Sequence, residues 1–457
     1  MPHAKFHFGF IQAALFFALI FGFGLGAHNA SIIGLQMPLH AGFMGYLQLH
    51  GHIQLFGWAG LFIIGISLHF LPRMTSASLP GKIWQNTILA LIASGLALRS
   101  ICHSLLPYTQ NSIFYTQFEW LIFFSALLEW VGILIYILLI AGTLRRASAK
   151  AGKIIPEIAP FLVLQLIGWG LVASLNLILV YDMARAGDTL VHPLWHNILI
   201  QIFTGFILLP VAFAFSIRML PLYLRLAPIN WPVQKIAFGY VGFMLLTLLT
   251  KSSISPTINF LYFLATVGKN IFILSFIWHL DILTRHKKPW SDQFVTEKQK
   301  QSRRKTARVH MPDYGEFGRF ERLVYSAYFW LATAAITEVA ITTMEWQGFA
   351  LPRGDDLVRH LILFGFITLL IFGMAPRMLP GFLGKKRVAC TGFVNATFWL
   401  GNIAVLCRVL PLAIPLFPGG DGQIATYVGG WLYAISGLIA IAALLLLAIN
   451  LTKTRKQ

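Results

Sequence analysis

Twelve apolar stretches follow one another along this chain, at 8–26, 49–71, 83–106, 115–144, 157–181, 194–220, 233–251, 256–283, 321–345, 357–379, 388–411 and 424–451. Each is close to or above the roughly 20 residues that a helix needs to cross the hydrocarbon core of a bilayer. Lipid offers a backbone no hydrogen-bond partner, so a spanning segment of this kind must satisfy its own N–H and C=O groups, which makes it an α-helix. The balance of residues agrees. Of 457 residues, 57% are hydrophobic and 11% charged, whereas soluble domains carry about a quarter charged residues. The expectation is an all-α membrane protein, one polytopic domain over 1–457 with twelve transmembrane helices.

The formal charge of +19, from 35 Lys+Arg against 16 Asp+Glu, would suggest nucleic acid in a soluble chain. Here its distribution points elsewhere. Basic residues gather in alternate connections: Arg73 and Lys82; Arg145, Arg146, Lys150 and Lys153; Arg218, Arg225 and Lys235; Arg285 to Arg319; Arg377 to Arg387; and Lys453 to Lys456. The intervening segments 27–48 and 107–114 carry none, and 182–193 only Arg185. Cytoplasmic loops concentrate Lys and Arg, so both termini are expected in the cytoplasm, with the lipid bilayer as partner and no nucleic acid. The basic segment 284–320 reads as a cytoplasmic linker that meets anionic headgroups. Cys102, Cys390 and Cys407 are far apart and form no CxxC. The first apolar run has no persuasive cleavage pattern and reads as a retained helix.

A motif recurs every four helices. "HIQLFGW" starts at His52 and "HLILFGF" at His360, sharing His, Leu at +3, Phe at +4 and Gly at +5. Both helices then close on Pro-Arg-Met, at 72–74 and 376–378. The sixth helix carries a looser copy, "HPLWHNILIQIFTGF" from His192 and "IRMLP" at 217–221. The chain therefore reads as three four-helix repeats, about 1–150, 151–283 and 321–451. A transporter built from two six-helix halves would place its long loop between helices 6 and 7; here it lies between 8 and 9.

Histidines are costly at membrane depth without a partner. His28, His40, His50, His52, His103, His192, His196 and His360 all map to the outer side. His28 and His40 are expected to be interfacial anchors. At the repeat positions His52, His196 and His360, metal ligation is the expectation, with His103 and His192 as further candidate ligands. Imidazole suits zinc, copper and iron, and three scattered cysteines do not suit iron–sulfur clusters. Glycines beside aromatics, at Gly57-Trp58, Gly205-Phe206 and Gly365-Phe366, suggest room for a flat macrocycle and favour haem over a bare ion. His50 and His52 point about 200° apart on a helix, so they cannot readily share one metal; both are candidate cofactor residues with separate tasks. His192 and His196, four apart, share a face that suits copper, unless Pro193 leaves His192 outside the helix. Arg99, Arg359 and Arg408 are candidates for haem propionates, or plain interfacial anchors. Glu129, Lys269 and Glu338 lie deep; a structural Lys–Glu pair and a proton or ligand path are both open.

At "HGHIQLFGW" (50–58), "SIRMLPLY" (216–223) and "RHLILFGFITLLIFGMAPRMLPGFLGKKR" (359–387) the chain resembles the NnrS family of haem- and copper-containing membrane proteins of the nitric oxide response. The pattern of histidines on helices 2, 6 and 10 is also similar to the catalytic subunit of haem–copper oxidases and nitric oxide reductases. The resemblance implies a subunit-I-like bundle in a bacterial inner membrane, haem with copper as a second metal, nitric oxide as ligand, and a redox partner. It would place axial ligation of haem at His52 and His360. Three departures bear on it. The seventh helix has no histidine for an oxidase copper, the tenth has only His360 where an oxidase should show two histidines two apart, and Ile53-Gln54 stands where NnrS-like proteins often carry an acidic residue. The alternatives are a divergent oxidoreductase of the nitric oxide reductase type and a twelve-helix transporter.

Overall fold

The computed structural model describes residues 6–75, 77, 81–146, 154–251, 256–287, 314–349, 351–414 and 423–457. Most of the basic segment, at 288–313, lies outside them, as do Lys150 and Lys153. Twelve helices are long and apolar enough to span: α1 Gly9–Gly34, α2 Phe43–Met74, α3 Lys82–Tyr108, α4 Tyr115–Arg145, α5 Pro156–Ala186, α6 Pro193–Leu224, α7 Val233–Thr250, α8 Thr257–Leu280, α9 Phe320–Trp346, α10 Gly354–Phe382, α11 Thr391–Ala413 and α12 Tyr427–Lys456. Each apolar stretch read from the sequence becomes one of them. No strand occurs among the described residues.

The helices fall into two compact units. The first comprises Met1–Val211 with Gly430–Ile441, the second Ala212–Gly429 with Ala442–Gln457. In the first, α1 packs on α2, α2 on α3 and α4, α3 on α4, and α4 on α5. Small residues let the first turns of α12 lie directly on α1: a Cβ on Gly34 would collide with the Gly430 carbonyl oxygen, and one on Gly437 with Ala27. In lipid, where apolar surface alone gives no preference for protein over tails, such close backbone approach is what holds helices together. In the second unit α7 packs on α8, α8 on α9, α9 on α10, and α11 on both α9 and α10. Tyr328 of α9 donates to the Ser216 hydroxyl at 2.6 Å, tying the end of α6 into this unit.

The three helices that carry the recurring histidine motif, α2, α6 and α10, differ from most of the others in two ways. Their apolar windows are the most enclosed, with 83% of residues buried in α2 and 72% in α6 and α10, against 56% or less elsewhere. Each also contains a π-helical stretch, at Ile53–Gly60, Phe203–Leu208 and Leu361–Thr368. Two of these start on the residue after the motif histidine, His52 and His360. A fourth widens α1 at Ala18–Phe23. Widened turns leave backbone carbonyls without their helical donor, and they favour functional sites. Side chains take up the slack in two places: the Thr368 hydroxyl donates to Leu363 O at 2.9 Å, and a histidine serves α1.

Candidate functional site

That histidine is His50. Its Nδ1 donates to the Gly22 carbonyl, inside the widened turn of α1, at 2.7 Å. The ring lies over Gly26, where a Cβ would stand 2.6 Å from Cε1. His50 therefore braces α2 against α1. His52, two residues on, points into the unit. It is buried, stacks on Phe56 at 4.5 Å between ring centroids, and sets Nε2 against the Glu129 carboxylate, 3.1 Å from Oε1 and 3.0 Å from Oε2. Glu129 is 1% exposed. A carboxylate so placed favours a proton on Nε2, which leaves the lone pair on Nδ1; in this arrangement, ligation by His52 falls to Nδ1. Neither the spacing of the motif nor the depth of Glu129 revealed this pairing, because the two residues lie 77 apart in the chain.

Helix α3 brings two further polar groups to the same interior. Arg99 is 4% exposed and its Nε and Nη1 have no hydrogen-bond partner; Glu129 is near enough to act on its charge. His103, one turn on, is fully buried, and neither ring nitrogen has a partner of hydrogen-bonding geometry. The Thr189 backbone lies beside the ring, and Arg99, His52 and His196 all act on it electrostatically. The connection carrying Thr189 is pinned by Gln48, whose amide donates to Val191 O at 2.7 Å and accepts from Val191 N–H at 3.0 Å. Gln48 is a contributor that the sequence signals only as a polar residue within an apolar helix.

Leaving a buried donor or acceptor unmade costs about 1–3 kcal/mol, and more for a charged group. Orphaned imidazole and guanidinium groups one turn apart suit a group with both a nitrogen-seeking metal and an anionic edge. A haem is such a group: His103 would supply the nitrogen and Arg99 the cation for a propionate. The residues of the first unit therefore fit haem at α3, while His52 is already held by Glu129.

In the second unit His360 donates from Nδ1 to the Asp356 carbonyl at 2.8 Å. That bond sets the tautomer with the Nε2 lone pair outward, the arrangement in which metal-binding histidines are usually held. Arg359 is paired with Asp356 at 2.9 Å, so it is anchored to its own helix. Arg408 is buried in α11.

Three expectations meet a different geometry. Gly57 and Gly365 do not open onto a macrocycle: a Cβ on Gly57 would meet Phe17 of α1 at 3.1 Å, and one on Gly365 would meet Trp330 of α9 at 2.8 Å. These glycines serve helix packing. His192 sits at the N-cap of α6, ahead of Pro193, and is exposed, while His196 lies one turn inside. The pair is thus divided between an exposed cap residue and a half-buried helical one. Among the described residues no group of three or more His, Cys, Asp or Glu side chains is placed to hold a metal ion. The deep acid and base of the second unit form a structural pair, Lys269 Nζ donating to Glu338 Oε1 at 2.6 Å and Asn270 Nδ2 to Oε2 at 3.0 Å.

No model of a known family matches the sequence, and no curated protein does. The fold does have a counterpart. The chain is similar to a haem–copper terminal oxidase solved as a dimer, with a TM-score of 0.71 over 98% of this chain and 84% of that one, at 13% identity. This is an integral membrane protein with the twelve-helix fold of a haem–copper oxidase.

Proposed function

We propose that the protein binds haem within this fold and acts in the nitric oxide response, as its motif resemblance to the NnrS family implies. The observation that carries haem binding is the under-satisfied pair on α3: a fully buried His103 whose ring has only the Thr189 backbone beside it, one turn from a buried Arg99 whose Nε and Nη1 have no hydrogen-bond partner. Haem bound there would supply an iron able to take up a small gaseous ligand such as nitric oxide. The chain's own residues do the rest. His103 offers the ligating nitrogen, and Arg99 and Glu129 set the local charge. Phe56, Trp169 and Phe203 pack edge to face beside His52 and keep water out. His360, its Nδ1 committed to Asp356, is the corresponding ligand in the second unit.

The fold likeness to a terminal oxidase supports a second reading, an oxidoreductase that receives electrons from a redox partner. The paired state of Lys269 with Glu338 and of Glu129 with His52 gives a transport path less support.

The experiment is optical. Protein purified from haem-replete cells is expected to show a Soret band that shifts on adding nitric oxide. His103→Ala and His360→Ala are each expected to reduce haem content. Turnover of nitric oxide with an artificial electron donor would establish the second reading over simple binding. Absence of a Soret band in folded protein would end the haem reading.

A further inference from the structure

Two histidines assigned above to interfacial anchoring turn their ring nitrogens toward each other. Nε2 of His28, near the end of α1, is 3.1 Å from Nε2 of His40, in the connection to α2. We propose that His28 and His40 form a binding site for a divalent transition metal of the copper or zinc class, separate from the haem-binding interior of α3.

The distance fits such a metal. With each imidazole nitrogen about 2.0–2.1 Å from the metal, a separation near 3.1 Å corresponds to an N–metal–N angle of roughly 100°. That value falls between square-planar and tetrahedral arrangements, within reach of either ion. The surroundings supply the outer support that metal-binding histidines require. His40 Nδ1 lies 3.0 Å from the Tyr108 hydroxyl of α3. With the ring as donor and the phenol oxygen as acceptor, the His40 tautomer is fixed with its Nε2 lone pair toward His28. Tyr46 closes another side, its ring centroid 5.2 Å from that of His40 and 5.8 Å from that of His28, and it is hydrogen-bonded to Tyr108. Gly42 makes the approach possible: a Cβ there would stand 2.7 Å from the Tyr108 hydroxyl oxygen.

Without metal, two facing nitrogens need one proton between them, so His28 carries its proton on Nε2 and donates to His40. Binding moves that proton to Nδ1 of His28, and both rings then offer lone pairs without net proton release. The group has only two His/Cys/Asp/Glu members, consistent with the absence of larger sets among the described residues. Its partly exposed position leaves the remaining coordination positions to water. Between the two ions, nitrogen ligands hold Cu²⁺ more tightly than Zn²⁺.

The test uses the full-length protein in detergent, stripped with chelator and titrated with Cu²⁺ alone. One tight equivalent is expected, with nitrogen hyperfine splitting from two imidazoles in its electron paramagnetic resonance spectrum. His28→Ala and His40→Ala should each abolish that signal. Tyr108→Phe, which keeps both ligands but removes the outer partner, should weaken binding by about 10–100-fold. His103→Ala should leave the signal intact, which separates this site from the haem reading. Size-exclusion elution of every variant checks that it is folded. A signal that survives in folded His28→Ala and His40→Ala, or one without nitrogen coupling, overturns the proposal.

Discussion

Removing the carboxylate of Glu338 should destabilise the protein far more than removing the whole ion pair. Lys269 Nζ sits 2.6 Å from Glu338 Oε1, and the two side chains are 9% and 19% exposed. At an effective dielectric constant of about 20, the attraction between unit charges at that distance is roughly 6 kcal/mol. Withdrawing two ions from water costs several kcal/mol for each, so the pair is about neutral against apolar residues of similar volume. Glu338→Leu discards the attraction but keeps the cost of burying the Lys269 ammonium, and it also removes one of the two acceptors of the Asn270 amide, the other being Thr266 O at 2.9 Å. The expected loss is about 3–5 kcal/mol. Lys269→Met with Glu338→Leu removes both charges and should recover most of it, leaving one Asn270 N–H unbonded at about 1–3 kcal/mol while the other stays on Thr266 O. Reversible unfolding of the parent, Glu338→Leu, Lys269→Met and the double variant in mixed micelles of increasing SDS fraction measures these differences, and the double-mutant cycle gives the coupling. Equal losses in Glu338→Leu and in the double variant would refute the reasoning, since they would show that the ammonium carries no penalty of its own.

The same unfolding assay checks the helix contacts. Gly34→Ala, whose Cβ would collide with the Gly430 carbonyl, should lose at least about 1–3 kcal/mol by overpacking; Gly242→Ala, which meets open space, should be neutral or slightly stabilising. Arg377 lies over the rings of Tyr223 and Phe317, 4.4 Å from each centroid, so Arg377→Lys should lose about as much stability as Arg377→Met, because an ammonium does not reproduce a planar group held between two rings. Asp281, in the connection after α8, is 2% exposed. Burial favours its protonated form, but the Lys287 N–H, the Thr284 hydroxyl, the His286 N–H and the His286 ring outweigh that and hold the carboxyl below its ordinary value. A carboxylate depressed on folding stabilises above the unfolded value, near about 3.9, and loses that contribution as pH falls through the folded value. The melting temperature of Asp281→Asn should therefore lie below that of the parent at neutral pH, and the gap should close in acid. A gap that persists unchanged below about pH 3 would contradict this.

How much of this was open to a reader of the chain differs between elements. The twelve spans were, because lipid permits a long apolar run one local solution and each run decides its own fate. So was the recurrence of His52 and His360 four residues ahead of Phe56 and Phe364. The widened turns that follow those histidines were not, since one extra residue per turn is settled by packing against neighbouring helices. Gly57 and Gly365 show the limit plainly: a glycine announces that something comes close, but whether it is a cofactor, Phe17 or Trp330 depends on which helix is adjacent.

The polar interior divides in the same way. Hydropathy alone showed that Glu129, Lys269 and Glu338 lie deep in apolar spans and need partners. It could not name them, because His52 and Glu129 meet across 77 residues of chain and Lys269 and Glu338 across 69. His103 and Arg99 could be seen as polar residues one turn apart, yet only the packed helices show how little hydrogen bonding their buried nitrogens receive. His28 and His40 read as two unremarkable anchors until the turn after α1 brings their rings face to face. Membership of the bilayer is a property of local composition, summed over neighbours in sequence. Chemistry at a point needs atoms from several helices within about 3 Å, and that convergence exists only once the helices have packed.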